Sequence, residues 1–217
     1  MEKIKNELSV MRSFKMNDMI TRALEDENKN SIEGHAAVFN QTTDIGGFFY
    51  EVIERGAFDG CDFSDVALFV NHGQDEIPLA RSRNNDINST MQISIDDIGL
   101  FMRAKLDITG NQNAAALYSA IERKDIDGMS FAFIIKEQTW ENLDSSMPTR
   151  RITKIAKVYE VSAVNNPAYE ATEIYARDKN ALEEAKISLD NARSASKNTD
   201  LELEREKLKL KLELMEE

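Results

Sequence analysis

The sequence has a single cysteine, Cys61, so it cannot form an intramolecular disulfide and cannot supply a cysteine-rich zinc site. Its two histidines, His35 and His72, are too few for a metal site built from histidine alone. No segment approaches the roughly 20 consecutive apolar residues that cross a bilayer, and the first residues, MEKIKNELSVMRSF, lack the apolar stretch of a secretory signal. We therefore expect a soluble, cytoplasmic protein with no cofactor, no metal and no membrane partner.

Basic side chains are also in the minority. The 217 residues include 27 Lys and Arg against 39 Asp and Glu, which gives a formal net charge of -12 at pH 7. A surface of this sign repels phosphate backbones, so we expect no nucleic-acid partner. Hydrophobic residues make up 41% of the chain and charged residues 30%, a mixture that supports one packed domain of ordinary size with an extension.

Composition divides the chain into unequal parts. All aromatic residues, prolines and glycines lie between Phe14 and Tyr175, whereas the segment after them has none of these and is rich in helix formers. We predict an N-terminal extension over residues 1–11, a domain over 12–177, and an acidic, charged, helix-prone tail over 178–217. The tail is either a solvated helix or a segment that binds a partner or itself.

The body of the chain shows the patterns of strands with a few helices. Runs rich in aromatic and β-branched residues, or alternating apolar and polar residues, predict strands at 31–39, 48–53, 66–70, 91–95, 100–106, 129–135 and, as one or two strands, 151–164. Asp96-Asp97-Ile98-Gly99 predicts a hairpin turn. Residues 113–121 predict a helix with one apolar face, formed by Ala114, Leu117, Tyr118 and Ile121. Together these elements predict a mainly β protein with inserted helices (α+β), arranged as a barrel or closed sheet.

Three polar residues interrupt or end apolar strands: His72 after ALFVN, Ser130 in GMSFAFII and Glu160 in AKVYEVSAV. Taken singly, such residues usually lie in a turn, fill a packing position or face solvent. Together they are the types that nucleophilic acyl transfer requires: a serine that attacks, a histidine that takes its proton and a carboxylate that orients the imidazole. Spacing alone leaves this trio unspecific, and the absence of a G-x-S-x-G elbow argues against an esterase fold.

Blocks of sequence around these residues carry a resemblance to a known family. They are GHAAVFN (34–40), DIGGFFYEVIERGAFDG (44–60), VALFVNHGQDEIPLARS (66–82), DDIGLFMRAKLDIT (96–109), GMSFAF (128–133) and YEVSAVNNPAY (159–169). In their joint pattern, from about residue 12 to 177, they resemble the prohead proteases of tailed bacteriophages. These are serine peptidases that mature the capsid.

The resemblance implies roles for the three residues. Ser130 matches the nucleophile, His72 the general base and Glu160 the third member of the triad. It also implies a fold like that of the herpesvirus assemblin, a β-barrel flanked by helices. The expected activity is that of a serine endopeptidase that cleaves the scaffold segment of the major capsid protein, and itself, within the immature capsid in the host cytoplasm. The capsid protein and a second copy of the chain are therefore the expected partners.

Several alternatives stay open from the sequence. The third member in assemblin-like enzymes is a second histidine, but His35 lies in the first block, so Glu160 fits better. Cys61 is a rival nucleophile with no histidine beside it in sequence. The oxyanion could be bound by backbone N–H groups near Ser130 or by the turn Asn165-Asn166-Pro167. Two rival functions are a non-catalytic capsid assembly or scaffold protein on the same fold and a cytoplasmic esterase, which would hydrolyse small esters.

Overall fold

The structure is a computed structural model that describes residues 9–15, 20–22, 30–165 and 179–213. This part of the chain forms eleven strands and two helices: β1 (Ser9–Lys15), β2 (Ile20–Arg22), β3 (Ser31–Val38), β4 (Thr43–Ile45), β5 (Phe49–Ile53), β6 (Asp65–Val70), β7 (Ala80–Arg83), β8 (Met91–Ile95), β9 (Gly99–Lys105), α1 (Gln112–Glu122), β10 (Gly128–Glu141), β11 (Thr149–Val164) and α2 (Lys179–Glu213). Within these residues no helix is long and apolar enough to cross a membrane. The expectation of a mainly β protein with few helices is confirmed.

The long strand β11 organises the larger, seven-stranded sheet. One edge of β11 pairs antiparallel with β10, which pairs in turn with β1. On the other edge, residues 149–152 pair in parallel with β5, and residues 160–163 pair in parallel with β6. Strands β4 and β7 extend the sheet beyond β5 and β6. The end of β6, just before His72, therefore lies beside the end of β11, where Glu160 is located.

The smaller sheet has the order β2-β3-β9-β8, with antiparallel neighbours throughout. The predicted hairpin is its β8–β9 corner. There the Asp96 Oδ1 atom accepts hydrogen bonds from the backbone N–H groups of Ile98 (2.8 Å) and Gly99 (2.9 Å). A Cβ atom on Gly99 would lie 1.9 Å from the carbonyl oxygen of Ala37, so only glycine fits where β9 meets β3.

The described strands do not form the closed barrel that we expected. The path of the larger sheet ends at β1 and β4, and the smaller sheet ends at β2 and β8. Among the described residues, no strand of the larger sheet pairs with a strand of the smaller one. The two sheets instead pack against one another through their apolar side chains.

A single core joins both sheets and α1. Phe131 and Phe133 of β10 stack with their ring centroids 4.4 Å apart and are fully buried. Burial of each such side chain stabilises the fold by roughly 1.5–3 kcal/mol. The helix α1 begins after Asn111, whose Oδ1 atom accepts from the backbone N–H groups of the next turn. Its buried residues are Ala114, Leu117, Tyr118 and Ile121, the four that the sequence predicted.

The helix α2 packs on the larger sheet only through its first turns. Leu182 and Ala185 lie in a second apolar cluster with residues of β4, β5 and β10. The hydroxyl of Ser188 accepts hydrogen bonds from Trp140 Nε1 (3.0 Å) and from Gln138 Nε2 (2.8 Å). Further along, the leucines are about half exposed: Leu201, Leu203, Leu208 and Leu210. The division of the chain into an extension, a domain and a tail, with boundaries at residues 12 and 178, stays a prediction. Strand β1 begins before the first of these boundaries, and the first turns of α2 pack on the domain.

Candidate active site

The end of β6 directs His72 back over the larger sheet. Asn71 and His72 both have positive φ angles, of 48° and 57°, so the chain turns sharply directly after the strand. The imidazole is thereby buried, and its Nδ1 atom hydrogen-bonds with Oε1 of Glu160. Because a carboxylate oxygen accepts, this hydrogen bond places a proton on Nδ1, and in a neutral imidazole Nε2 then has the lone pair. This is the tautomer that a general base requires.

Glu160 reaches His72 because of the register between β11 and β6. Its partner in the parallel pair is Ala67, five residues before the histidine. The side chains of His72 and Glu160 are only 6% and 1% exposed. Water therefore does little to weaken the interaction between the imidazole and the carboxylate.

Ser130 lies on the same face of the larger sheet as Glu160. The antiparallel register of β10 and β11 places Ser130 opposite Ser162 and Ala132 opposite Glu160, with no bulge between the two pairs. Directly opposite residues point to the same face. The structure thus brings the three predicted residues to one face, and the assignment of their roles stays a prediction.

The hydroxyl of Ser130 is not bonded to the histidine in this structure. It donates to the backbone carbonyl oxygen of Arg12 on the neighbouring strand β1, at 2.8 Å. Within the described residues, the Nε2 atom of His72 is buried and has no hydrogen-bond partner. Ser130 and His72 are therefore not joined by a hydrogen bond in this structure.

Among the described residues, buried polar atoms without a hydrogen-bond partner are concentrated around His72 and Glu160. In the part of the chain that the structure describes, Nε2 of His72, Oε2 of Glu160 and Oγ of Ser162 are all buried without a hydrogen-bond partner. Buried polar atoms are normally hydrogen-bonded, so each exception requires an explanation, and a catalytic role is one of them. The sequence analysis did not single out Ser162. Its position two residues after Glu160 in a strand, and so on the same face, is the signal that could have identified it.

A buried ion cluster connects β1, which pairs with β10, to β5 and β11 of the larger sheet. The carboxylate of Glu51 in β5 hydrogen-bonds with the guanidinium groups of Arg12 and Arg150. Burial raises the pKa of Glu51, but the charges and hydrogen bonds of Arg12 and Arg150 outweigh it, and the pKa lies below its ordinary value. Since the Arg12 carbonyl accepts a hydrogen bond from Ser130, this cluster also positions the hydrogen-bond partner of Ser130.

The other candidates from the sequence lie in different surroundings. His35, in the smaller sheet, hydrogen-bonds through Nε2 with Oδ2 of Asp96 (2.8 Å), and its ring packs edge-on against Phe101. Burial, together with the charge of Asp62, raises the pKa of Cys61 to about 12. A thiol with such a pKa stays protonated near neutral pH and is a poor nucleophile.

The turn Asn165-Asn166-Pro167, which the sequence offered as an oxyanion site, is described by the structure only at Asn165. The backbone N–H of Asn165 donates to Oδ1 of Asn71 at 3.1 Å, so it is engaged within the protein. Asn166 and Pro167, the rest of that turn, lie outside the described residues. Arg150 is held by Glu51 and by Gln138 Oε1.

Two cavities lie near the turn that carries His72. One has a volume of about 380 Å³ and is lined by Ala67, Phe69, Gln74, Arg81, Tyr159 and Glu160. The other, of about 450 Å³, is lined by Asn71 and Gly73, the neighbours of His72 in sequence, and by apolar residues of α1 such as Leu117. Of the His72–Glu160 pair, only Glu160 lines one of these cavities.

Comparison with known protein families identifies the family of this chain. The family model described as caudovirus prohead serine protease matches residues 17–186, a range that includes His72, Ser130 and Glu160. Searches of curated proteins and of solved structures found no match. Since the family match extends over most of the chain, the protein belongs to the caudovirus prohead serine protease family.

Proposed function

We propose that this member of the family is a serine endopeptidase that cleaves the scaffold segment of the major capsid protein, with Ser130 as nucleophile, His72 as general base and Glu160 as the group that orients the base. Membership of the family supports a serine peptidase of capsid maturation that acts inside the phage procapsid. The observation that carries the residue roles is the buried hydrogen bond between Nδ1 of His72 and Glu160 on the face that bears Ser130.

The chemistry follows from these positions. Nε2 of His72 takes the hydroxyl proton of Ser130 while Oγ bonds to the carbonyl carbon of the scissile peptide. Glu160 stabilises the imidazolium that forms. The imidazolium then protonates the leaving amine as the C–N bond breaks, which leaves the acyl group on Ser130. Water, deprotonated by the same imidazole, adds to the acyl carbon, and the imidazolium returns the proton to Oγ of Ser130 as the ester bond breaks.

Activation requires a change at Ser130, because its proton is bonded to the Arg12 carbonyl in the resting arrangement. A rotation about one side-chain torsion exchanges this acceptor for Nε2 of His72. Catalytic hydrogen bonds often form only when substrate binds, so the resting geometry is compatible with activity. Substrate in the cavities near the turn that carries His72 is the expected trigger.

The same proposal includes the partners and the wider fold. The substrate is the major capsid protein, and a second copy of the chain is the substrate of self-cleavage. We also infer an assemblin-like arrangement of strands around the three residues. The mainly β architecture supports it, as does the position of the residues at neighbouring strands of one sheet.

Purified protein provides the first test. Wild type, Ser130→Ala, His72→Ala and His35→Gln are each incubated with overlapping peptides from the scaffold segment of the cognate capsid protein, and products are identified by mass spectrometry. We expect cleavage by wild type and by His35→Gln, the matched histidine control, and none by the other two variants. Peptides left intact by every protein would support a non-catalytic assembly role. Turnover of small esters with no peptide cleavage would support an esterase.

A further inference from the structure

We propose that Ser162 is a positioning residue for the nucleophile, an inference that rests on the proposed function of Ser130. In this role the hydroxyl of Ser162 donates a hydrogen bond to Oγ of Ser130 once that atom has turned towards His72. Ser162 does not itself form a bond to the substrate.

The position of Ser162 follows from the strand register. It lies directly opposite Ser130 across the β10–β11 pair and two residues after Glu160 on the same face. The Cβ atoms of directly opposite residues are about 4.5–5.5 Å apart in an antiparallel pair. Two serine hydroxyls at this separation come within hydrogen-bonding distance when their side chains rotate towards each other.

The hydrogen bonds around Ser130 show what this rotation gains and what it loses. In the resting arrangement the proton of Ser130 is bonded to the Arg12 carbonyl. Within the described residues, Oγ of Ser162 and Nε2 of His72 then have no partner. After rotation, Ser130 donates to Nε2 of His72 and accepts from Ser162, because a serine oxygen both donates and accepts. Two buried atoms gain partners at the expense of the one bond to Arg12.

The same hydrogen bond serves the reaction. When His72 removes the proton of Ser130, negative charge develops on Oγ as it attacks the peptide carbonyl. The O–H group of Ser162 donates a hydrogen bond that stabilises this charge, and it keeps Oγ in the rotamer that faces Nε2. A hydrogen bond to a charged group is stronger than one between neutral groups, so its contribution is greatest as the charge forms.

A purely structural role fits Ser162 poorly. Its side chain is fully buried, and a buried hydroxyl without a partner destabilises the fold relative to alanine. Ser82 in β7 is equally buried, but its hydroxyl lies 3.5 Å from Oδ1 of Asn85 as a hydrogen-bond partner. Ser82 is therefore the matched control for a buried serine in a strand.

The test compares purified full-length wild type, Ser162→Ala and Ser82→Ala. The first measurement is the rate at which a fluorophosphonate modifies Ser130, with the modified residue located by peptide mass spectrometry. This rate reports the reactivity of the nucleophile without peptide binding. The second measurement is kcat and KM on a capsid-derived peptide, with the thermal midpoint recorded for each protein.

We expect Ser162→Ala to slow both the modification and kcat by roughly ten- to hundredfold, the effect of one hydrogen bond to a developing charge. Its KM should match that of wild type, and its thermal midpoint should be equal or higher, because alanine removes a buried hydroxyl that has no partner in the resting arrangement. Ser82→Ala should retain both rates. Equal rates in wild type and Ser162→Ala, or equal losses in the two variants, would overturn the role of Ser162 alone. A wild type that neither cleaves the peptide nor reacts at Ser130 would overturn the proposed function. Modification of Ser162 in place of Ser130 would overturn both.

Discussion

Replacement of Glu160 by glutamine separates the role of the third residue from its contribution to the fold. Glutamine has the shape of glutamate but not its charge. If its amide N–H₂ donates to Nδ1 of His72, the ring proton moves to Nε2 and the base is lost. If its carbonyl oxygen accepts from Nδ1, the tautomer survives, but the imidazolium faces a neutral partner. Both orientations should lower kcat.

The magnitude follows from the surroundings of the carboxylate. In a Ser-His-Asp triad the corresponding Asp→Asn change lowers kcat about 10,000-fold, or roughly 5.5 kcal/mol of barrier. Glu160 is only 1% exposed and its Oε1 atom bonds with His72, so water provides little compensation. We therefore expect a loss of about 1,000- to 10,000-fold in kcat. The free energy of unfolding should change by no more than about 1 kcal/mol, because the change removes a buried charge and keeps the volume.

The assay measures kcat on a capsid-derived peptide and the free energy of unfolding in urea. Glu33→Gln is the matched control, since Glu33 is also buried and pairs with Arg103 in the smaller sheet. We expect Glu33→Gln to retain the activity of wild type even where its stability falls. A Glu160→Gln protein with kcat within about tenfold of wild type would refute the assignment of the third residue.

Four further predictions concern the nucleophile and base, the stability and acid sensitivity of the ion cluster, and the thiol. Ser130→Ala and His72→Ala should each lose most of the rate over background and the double variant little more, because triad members act as a unit; additive losses in steady-state kinetics would contradict this. Glu51→Ala should cost about 3–5 kcal/mol in urea unfolding, since it leaves two buried arginines without their carboxylate. Because the pKa of folded Glu51 lies below its ordinary value of 4.5, the stabilisation is complete above that value and is lost as the pH falls through the folded pKa. Acid should therefore destabilise wild type more than Glu51→Gln, and equal slopes of unfolding free energy against pH would contradict the cluster's role. Cys61, with its pKa raised to about 12, should react slowly with iodoacetamide at pH 8, and rapid alkylation with loss of activity would count against Ser130.

Local sequence patterns were sufficient for much of the fold. The hairpin at Asp96 to Gly99 follows from turn chemistry that acts within four residues, and the structure has it. The apolar face of α1 follows from helical spacing, and the same four side chains are buried. These features depend on neighbours in sequence, which is why a single sequence specifies them.

The strands that the sequence did not predict depend on distant partners. Strand β7, with the sequence ARSR, is mostly polar, and β4 has three residues, so neither shows an apolar pattern. They are strands because β6 and β5 offer them hydrogen-bond partners. The closed barrel was wrong for a similar reason, since closure depends on pairing between sheet edges that no local pattern encodes.

The residues of the candidate site also divide into those that the sequence indicates and those that only the pairing of strands brings together. His72, Ser130 and Glu160 were selected through the family resemblance, because spacing alone could not distinguish them from other polar residues in strands. The spacing in β11 could have placed Ser162 on the face of Glu160, but its position opposite Ser130 depends on the register of β10 and β11, and the contact of Arg12 depends on the pairing of β1 with β10. Both residues act through contacts between segments far apart in sequence.

The most direct test of the central claim is intact-mass analysis of the cognate major capsid protein co-expressed with wild type or with Ser130→Ala. We expect defined truncations of the capsid protein, and of the protease itself, that appear with wild type and are absent with Ser130→Ala. Identical, uncleaved masses in both samples, with capsids still assembling, would contradict it and would identify the chain as an assembly protein without catalytic activity.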